Sequence, residues 1–325
     1  MTNMLLMILF APDTYVWALM VLMTVVSVLA FLGCRRLRRK SWRWAILLAV
    51  LFLWYVLLYG TFVEPRHLSV RQVEFASADL PPAFDGYRIV QFSDAHVGSF
   101  TGWRTSMLST VVDSINAQGA DLIVFTGDLQ NKHPSEIEPH VATLSRLKAK
   151  DGVYSVLGNH DYAMYVDADP YQQMMNLEAT IAHQSEAGWT VLANSHVLLR
   201  RGDQSIVLAG MENDGEGRFP QLGNINKSLF GLNRESFVVM LEHDPTAWRR
   251  KILPHSHCQL TLSGHTHGGQ LSLLGLSPAM LRFRESAGMY YIGQRAISVS
   301  SGIGGVVPIR FGATPEIVVI TLKSK

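Results

Sequence analysis

Residues 87–98 read YRIVQFSDAHVG, and this stretch decides the fold. Its first part is an apolar-rich run without helical spacing, which predicts a strand over 87–94. Its second part sets an Asp and a His where that strand must end. Moving outward, the same grammar recurs in DLIVFTGD (121–128) and GVYSVLG (152–158), the latter followed by Asn159, His160 and Asp161. Trp103–Gln118 between them has helical spacing, and Ser135–Lys148 reads as a second helix with Ser135 as its cap. This strand–helix alternation predicts parallel strands with helices laid over the sheet. Farther on, strands dominate: WTVLAN (189–194), HVLLR (196–200), SIVLAG (205–210), FVVML (237–241), CQLTLSG (258–264), then MYYIG, AISVS and EIVVITL. An α/β first half joined to a strand-rich second half predicts an α/β fold of two packed, mixed β-sheets flanked by helices.

Upstream of this domain the composition changes. The chain has 325 residues, of which 48% are hydrophobic and only 17% charged. The charged share falls short of the roughly 25% usual in soluble domains, which predicts that part of the chain lies out of water. Two uncharged runs account for it: 14–34 (TYVWALMVLMTVVSVLAFLGC) and 44–63 (WAILLAVLFLWYVLLYGTFV). Each matches the ~20 residues that a helix needs to cross the hydrocarbon of a bilayer. They predict a two-helix transmembrane hairpin over 1–63, joined by the basic loop 35–43, with a linker at 64–83 that itself holds one strand (Leu68–Phe75), and the main domain at 84–325. A signal peptide would carry bases ahead of the first run, and MTNMLLMILFAPD has none.

The formal net charge of +2 hides two unlike parts. Residues 1–63 carry six bases against one acid, a net of +5, and the remaining 22 bases and 25 acids give −3. Such a distribution leaves no basic surface for nucleic acid, so no nucleic-acid binding is expected. The basic loop predicts a cytoplasmic turn under the positive-inside rule, and hence an extracytoplasmic domain in the cell (inner) membrane. With only two cysteines, Cys34 at a membrane edge and Cys258 in a strand, no disulfide framework is expected.

Five polar clusters each follow a predicted strand: Asp94 with His96, Gly127-Asp128, Gly158-Asn159-His160-Asp161, His243, and Gly264-His265-Thr266-His267. Carboxyl ends of strands are where open α/β sheets bind ligands. Taken singly, an Asp or His after a strand is ordinarily a solvated loop residue. Taken together, they supply two carboxylates, one amide oxygen and four imidazoles besides His160 and Asp161. That inventory exceeds what one divalent ion needs and predicts two ions sharing a carboxylate. The surplus of positive charge suits binding and displacement at phosphorus.

Asp-x-His, Gly-Asp, Gly-Asn-His-Asp, a single His and Gly-His-x-His, in this order, resemble the calcineurin-like metallophosphoesterases over roughly 84–325. LPPAFDGYRIVQFSDAHVG, SGHTHGGQ and the terminal PEIVVITL are similar to the bacterial membrane-associated phosphoesterase branch. The resemblance implies an αββα sandwich and a binuclear, metal-dependent phosphoesterase of phosphodiesterase-like activity, acting through a bridging hydroxide. It places Asp94, His96 and His267 on one metal, Asn159, His243 and His265 on the other, and Asp128 between them. It sets His160 beside the leaving oxygen as the catalytic residue. Asp161 would orient an imidazole.

No cysteine stands among the ligands, which favours Mn, Fe or Zn. The expected substrate is a phosphoester, lipid-linked in one reading: a phospholipid or a lipid pyrophosphate of the UDP-diacylglucosamine type. The expected topology disfavours that nucleotide lipid, which lies on the cytoplasmic side. A non-catalytic membrane protein that keeps the fold is a further reading, against which stands the complete ligand set. His67, His133, His140, His183, His196, His255 and His257 lack motif context. Arg310, in a glycine-rich loop, could reach a substrate phosphate. Tyr171, Met174 and Met175 read as a buried helix face, with an apolar flap near lipid as the alternative.

Overall fold

The computed structural model describes residues 12–37 and 39–325. Residues 1–11, whose lack of bases counted against a signal peptide, and Arg38 of the basic loop lie outside the described residues.

Two helices come first, α1 (Pro12–Arg36) and α2 (Lys40–Phe62). Both are long and apolar enough to cross a membrane, and most of their side chains face outward. They run past the expected spans because arginine and lysine are good helix formers whose heads can reach water. The turn between them is accordingly shorter than the loop 35–43, and the Arg43 guanidinium donates to the Leu37 carbonyl at 2.6 Å. Trp54 Nε1 donates to Ser27 Oγ between the helices at 2.9 Å.

The rest of the chain forms two six-stranded sheets. The first holds β1 (Ser69–Ser77), β12 (Glu316–Ser324), β2 (Arg88–Phe92), β3 (Leu122–Phe125), β4 (Val153–Ser155) and β5 (Trp189–Val191), in that spatial order. The second holds β10 (Gly288–Ile292), β11 (Arg295–Val299), β9 (Leu260–Ser263), β8 (Val238–Leu241), β7 (Gln204–Gly210) and β6 (Ser195–Arg201). Both are mixed: β2 to β5 run parallel while β12 opposes β2, and β7, β8, β9 and β11 run parallel between two antiparallel edge strands. The stretch 64–83, expected to join hairpin and domain, also builds the domain: β1 pairs in parallel with β12 along its whole length.

Period-two alternation sorts each strand's side chains into layers. In β2, Ile89 faces the other sheet with Leu122, Val124, Leu260 and Leu262, while Val90 and Phe92 face outward. On that outer face α3 (Thr105–Asn116) buries Leu108, Val111, Val112 and Ile115, one stripe of helical spacing. Each such side chain contributes about 1.5–3 kcal/mol by leaving water. The opposite outer face packs Val238 and Met240 under Trp248 and Ile252. Both faces of the central strands are therefore buried, which is why their sequences read as continuous apolar runs.

The helix expected over 135–148 is broken. Short 3-10 turns cover Pro134–Glu136 and Glu138–His140, and only Val141–Leu144 is α-helical. Pro139 has no N–H to donate, and His133 rather than Ser135 caps the first turn. A regular helix α5 (Pro170–Glu186), capped by Asp169, covers the first sheet's far end; α4 is Val141–Leu144.

The hairpin sits on the domain through the loop before β12. Val16 and Leu57 pack on Ile309, Arg310 N–H donates to Gly60 O at 2.9 Å, and Asp13 pairs with Arg104 at 2.7 Å.

Candidate metal centre

Strands β2, β3 and β4 of the first sheet and β8 and β9 of the second deliver the five polar clusters just past their carboxyl ends. Sharp turns follow at once. Asp94 (φ 49°), His96 (45°), Asp128 (63°), His265 (74°) and His267 (52°) all adopt left-handed backbone, which costs of order 1–3 kcal/mol each for a residue with a Cβ. Such strain persists only where the surroundings over-determine it, and here it gathers at one place. Gly127 (φ 94°) lets two loops touch: a Cβ there would lie 2.6 Å from Gly158 N and from His243 Nδ1. At Gly264 a Cβ would collide with Ser93 Oγ and the Asp94 carboxylate.

Two groups of ligand atoms result. Asp94, His96, Asp128 and His267 place one atom each within 4.8 Å of one another, and Asp128, His243 and His265 do the same. Asp128 belongs to both. Its Oδ2 lies 3.7 Å from His96 Nε2 and 3.2 Å from His243 Nε2. Asp94 Oδ1 lies 3.5 Å from His267 Nε2, and His265 Nδ1 is 3.2 Å from His243 Nε2.

Polar groups behind the rings orient them. His243 Nδ1 meets the Thr126 carbonyl at 2.7 Å, His267 Nδ1 lies 3.4 Å from Arg310 Nη2, and His265 Nε2 lies 3.5 Å from Asp244 Oδ2. Asn159 donates its amide to Tyr165 Oη at 2.9 Å, leaving a buried Oδ1 without a hydrogen-bond partner. Both ring nitrogens of His96 are likewise buried and unpartnered.

The electrostatics separate the groups. Burial pushes His96 down to about 3 and His265 to about 4, and pushes His267 well below the usual imidazole range, so these rings stay neutral. Burial raises the Asp94 carboxyl to about 6. Burial would raise Asp128 too, but the His243 and His160 charges hold it well below the carboxylate range. His243, despite burial, is raised to about 10 by Asp128. Carboxylates, neutral imidazoles with free lone pairs and an orphaned amide oxygen form a donor set that fits divalent cations.

His160 completes the centre. Its N–H donates to Asp128 Oδ1 at 2.8 Å, and its ring Nδ1 meets the Asn131 carbonyl at 2.5 Å. The ring stands edge-on to His96, with centroids 4.8 Å apart, and is partly exposed.

Some expectations are corrected. Asp161 orients backbone, not an imidazole: its carboxylate accepts from the N–H groups of Asp128, Leu129 and Gly158 at 2.8–2.9 Å and of Gln130 at 3.3 Å. Arg310 is buried and donates to the carbonyls of Ser301, Gly304 and Ala313, so it holds its own loop instead of reaching outward for a phosphate. Tyr171, Met174 and Met175 are exposed, not a buried helix face. The other seven histidines join neither ligand group; His196, for instance, bonds the Ser228 carbonyl.

Sequence reasoning missed Asp244, although it follows His243 directly. It also missed Tyr165, whose ring lies 4.3 Å from that of His160, and Phe219 and Phe283, which stand edge-on to His265 at 4.9 and 5.4 Å. No spacing rule announces those three, because irregular loops bring them in.

The family model for calcineurin-like phosphoesterases matches residues 87–269. An uncharacterized metallophosphoesterase of Bacillus subtilis, YkuE, is 34% identical over 82% of this chain and 89% of its own length. A transmembrane protein with metallophosphoesterase domain from Danio rerio is 30% identical over 82% of this chain, which spans 60% of that protein. An uncharacterized metallophosphoesterase of Aquifex aeolicus is 27% identical over 81% of this chain and 95% of its own length.

Proposed function

Since the chain belongs to the calcineurin-like phosphoesterases and is thereby a metal-dependent phosphoester hydrolase, we propose that it is a membrane-anchored, binuclear enzyme with phosphodiesterase-like activity. The observation that carries this reading is the sharing of Asp128 by two ligand groups. Asp94, His96 and His267 would hold one divalent ion, Asn159, His243 and His265 the other, and Asp128 both. With no thiolate among the donors, Mn, Fe or Zn are the ions favoured. When bound, the pair would neutralise charge on the phosphoryl group and ionise a water held between them.

The chain's own residues do the rest. Asp161 fixes the two loops that carry Asp128 and Asn159 through backbone hydrogen bonds. Thr126 O, Asp244 and Arg310 set the orientations of the His243, His265 and His267 rings. The Asn131 carbonyl takes Nδ1–H of His160, which leaves Nε2 to give a proton to the departing oxygen. The hairpin holds this centre beside the bilayer, so the substrate class that fits is a phosphoester of a membrane lipid. Two further finer readings belong with it: a catalytic domain of residues 84–325, to whose first sheet β1 adds an edge strand, and its placement outside the inner membrane.

The test uses full-length protein purified in detergent, assayed for metal content and for turnover of aryl monoesters, aryl diesters and lipid phosphoesters. Asp128→Asn should lose bound metal and at least about 10³-fold in turnover. A metal-free Asp128→Asn protein that still turns over would overturn the reading.

A further inference from the structure

The chain just after His267 makes a loop that nothing above explains. From Gln270 the chain leaves the metal centre, and it returns at Phe283, edge-on to the His265 ring. Between these points Leu271, Leu273, Leu274, Leu276, Met280 and Leu281 are all exposed. Leu274 is 96% and Leu281 93% exposed, the reverse of what leucine prefers in water. The tip makes the cost plainer. Leu273 and Leu276 exchange backbone hydrogen bonds, and the turn between them places Leu274 at φ 54° ahead of Gly275 at φ 80°. Asn, Asp or Gly usually take the left-handed position of a tight hairpin turn. A leucine there accepts backbone strain in order to present an apolar side chain.

The loop's neighbours say what covers it. Leu271 bridges to Phe311, and Ser272 N–H donates to Phe311 O at 2.7 Å. The Phe311 ring in turn stands edge-on to Tyr55 and Tyr59 of α2, with centroids 6.0 Å away from each. At 1.5 Å per residue those tyrosines lie about 10 and 5 Å before the end of α2. The loop is thus continuous with the hairpin at the outer turns of a membrane-spanning helix, within the 5–10 Å that amphipathic elements enter a leaflet. On its return the loop carries Arg282 and Arg284, both exposed, and Arg282 lies over the Phe219 and Phe283 rings that wall His265.

We propose that residues 271–281 insert into the acyl region of the leaflet beside α2, with Arg282 and Arg284 at the level of lipid phosphates, so that the metal centre takes its phosphoester from the bilayer. This rests on the membrane-anchored phosphoesterase reading and deepens it: the substrate is an amphiphile met at the lipid surface, and the loop is the element that meets it. Because the loop leaves from His267, whose carbonyl accepts from Gln270 N–H, and returns with Phe283 against the His265 ring, lipid contact and site are joined through a few residues.

The test places the full-length protein in vesicles of phosphatidylethanolamine and phosphatidylglycerol containing doxyl-labelled acyl chains. In a Cys34→Ser background, Leu274→Cys carries a polarity-sensitive fluorophore, and Asp203→Cys, in the β6–β7 turn, carries the same label as control. The label at 274 should shift to the blue and be quenched by the doxyl lipid, while that at 203 should stay quenchable by aqueous iodide. A label at 274 that iodide reaches as easily as that at 203 would overturn the proposal. So would a blue shift without lipid quenching, since protein would then cover the loop. In a second measurement, Leu274→Asp with Leu281→Asp should lower the ratio of turnover on vesicle-borne to soluble phosphodiester by about tenfold; an unchanged ratio would refute delivery by the loop. Failure of the phosphoesterase reading itself looks different: quenching at 274 persists, which supports insertion, while neither substrate is turned over.

Discussion

At the residue scale, His160 is the group whose chemistry can be separated from metal holding. Its ring nitrogen Nδ1 is committed to the Asn131 carbonyl and its backbone N–H to Asp128, so truncating the ring leaves the Asp128 contact in place. His160→Ala should therefore keep the metal content of the parent while turnover falls about 10²–10³-fold, as for loss of a general acid. The fall should be large for alkyl leaving groups and small for nitrophenolate, which departs without a proton; a loss equal for both would show that His160 acts some other way. The ligand candidates of this centre were legible because each lies just past an apolar run, in an order that resembles that of a known family. What was not legible came from irregular backbone. Asp161 looked like a partner for an imidazole, but the left-handed turn at Asp128 points a row of N–H groups at it instead. Arg310 looked free because sequence does not tell which carbonyls a buried guanidinium will meet.

At the scale of elements, two features hold the site's scaffold together at opposite edges. Past the carboxyl ends of the strands, the loops interlock at Gly127 and Gly158. At the other edge, Tyr87 before β2, Asp151 before β4 and Arg201 ending β6 form a clasp across the two sheets: Tyr87 Oη donates to Asp151 Oδ2 at 2.5 Å, and Arg201 grips both carboxylate oxygens at 3.0 and 2.6 Å. Burial alone would raise Asp151, but the hydrogen bonds from Arg201 and Tyr87 outweigh it and hold the carboxyl below its usual range. A carboxyl depressed in the folded state binds its proton more weakly there than in the unfolded chain. Its stabilisation is thus complete above the unfolded value near 4 and is lost as pH falls through the lower folded value. Asp151→Asn should lower Tm by about 2–4 °C at pH 7, with the gap closing as pH drops from 5 to 3. A gap that stays constant over that range would show that the clasp acts through packing. Of the strands joined by the clasp, β2 was legible because burial on both faces writes a continuous apolar run, whereas β6 is an edge strand with mostly half-buried side chains. The broken helix near Pro139 was not legible, because apolar spacing survived while the backbone donor was missing. Nor did turn-rich sequence around 78–86 reveal that β1 just ahead of it is an edge strand, whose partner lies about 245 residues away.

At the scale of the whole molecule, charge and architecture point the same way. Among the described residues, Arg35, Arg36, Arg39, Lys40 and Arg43 crowd around the hairpin's turn, while the domain, with 22 bases and 25 acids, rests on the hairpin's other end through Val16, Leu57 and Gly60. The helices between these ends are about 35 Å long, enough to cross the ~30 Å hydrocarbon layer once. The basic turn and the metal centre therefore lie on opposite faces of any bilayer the hairpin spans, and whichever compartment holds one is denied the other. Short basic loops are retained in the cytoplasm, so the centre should work outside it, on lipid of the outer leaflet. Alkaline phosphatase fused after Lys325 should accordingly be active and a fluorescent protein fused there dark; the opposite pair of results would place the centre in the cytoplasm. Replacing Arg35, Arg36, Arg38, Arg39, Lys40 and Arg43 by Gln supplies the internal control, because it removes the orienting charge without touching the domain. That variant should give a mixed signal from both fusions. If its topology stayed fixed, orientation would be set by the folded domain and not by the hairpin's charge.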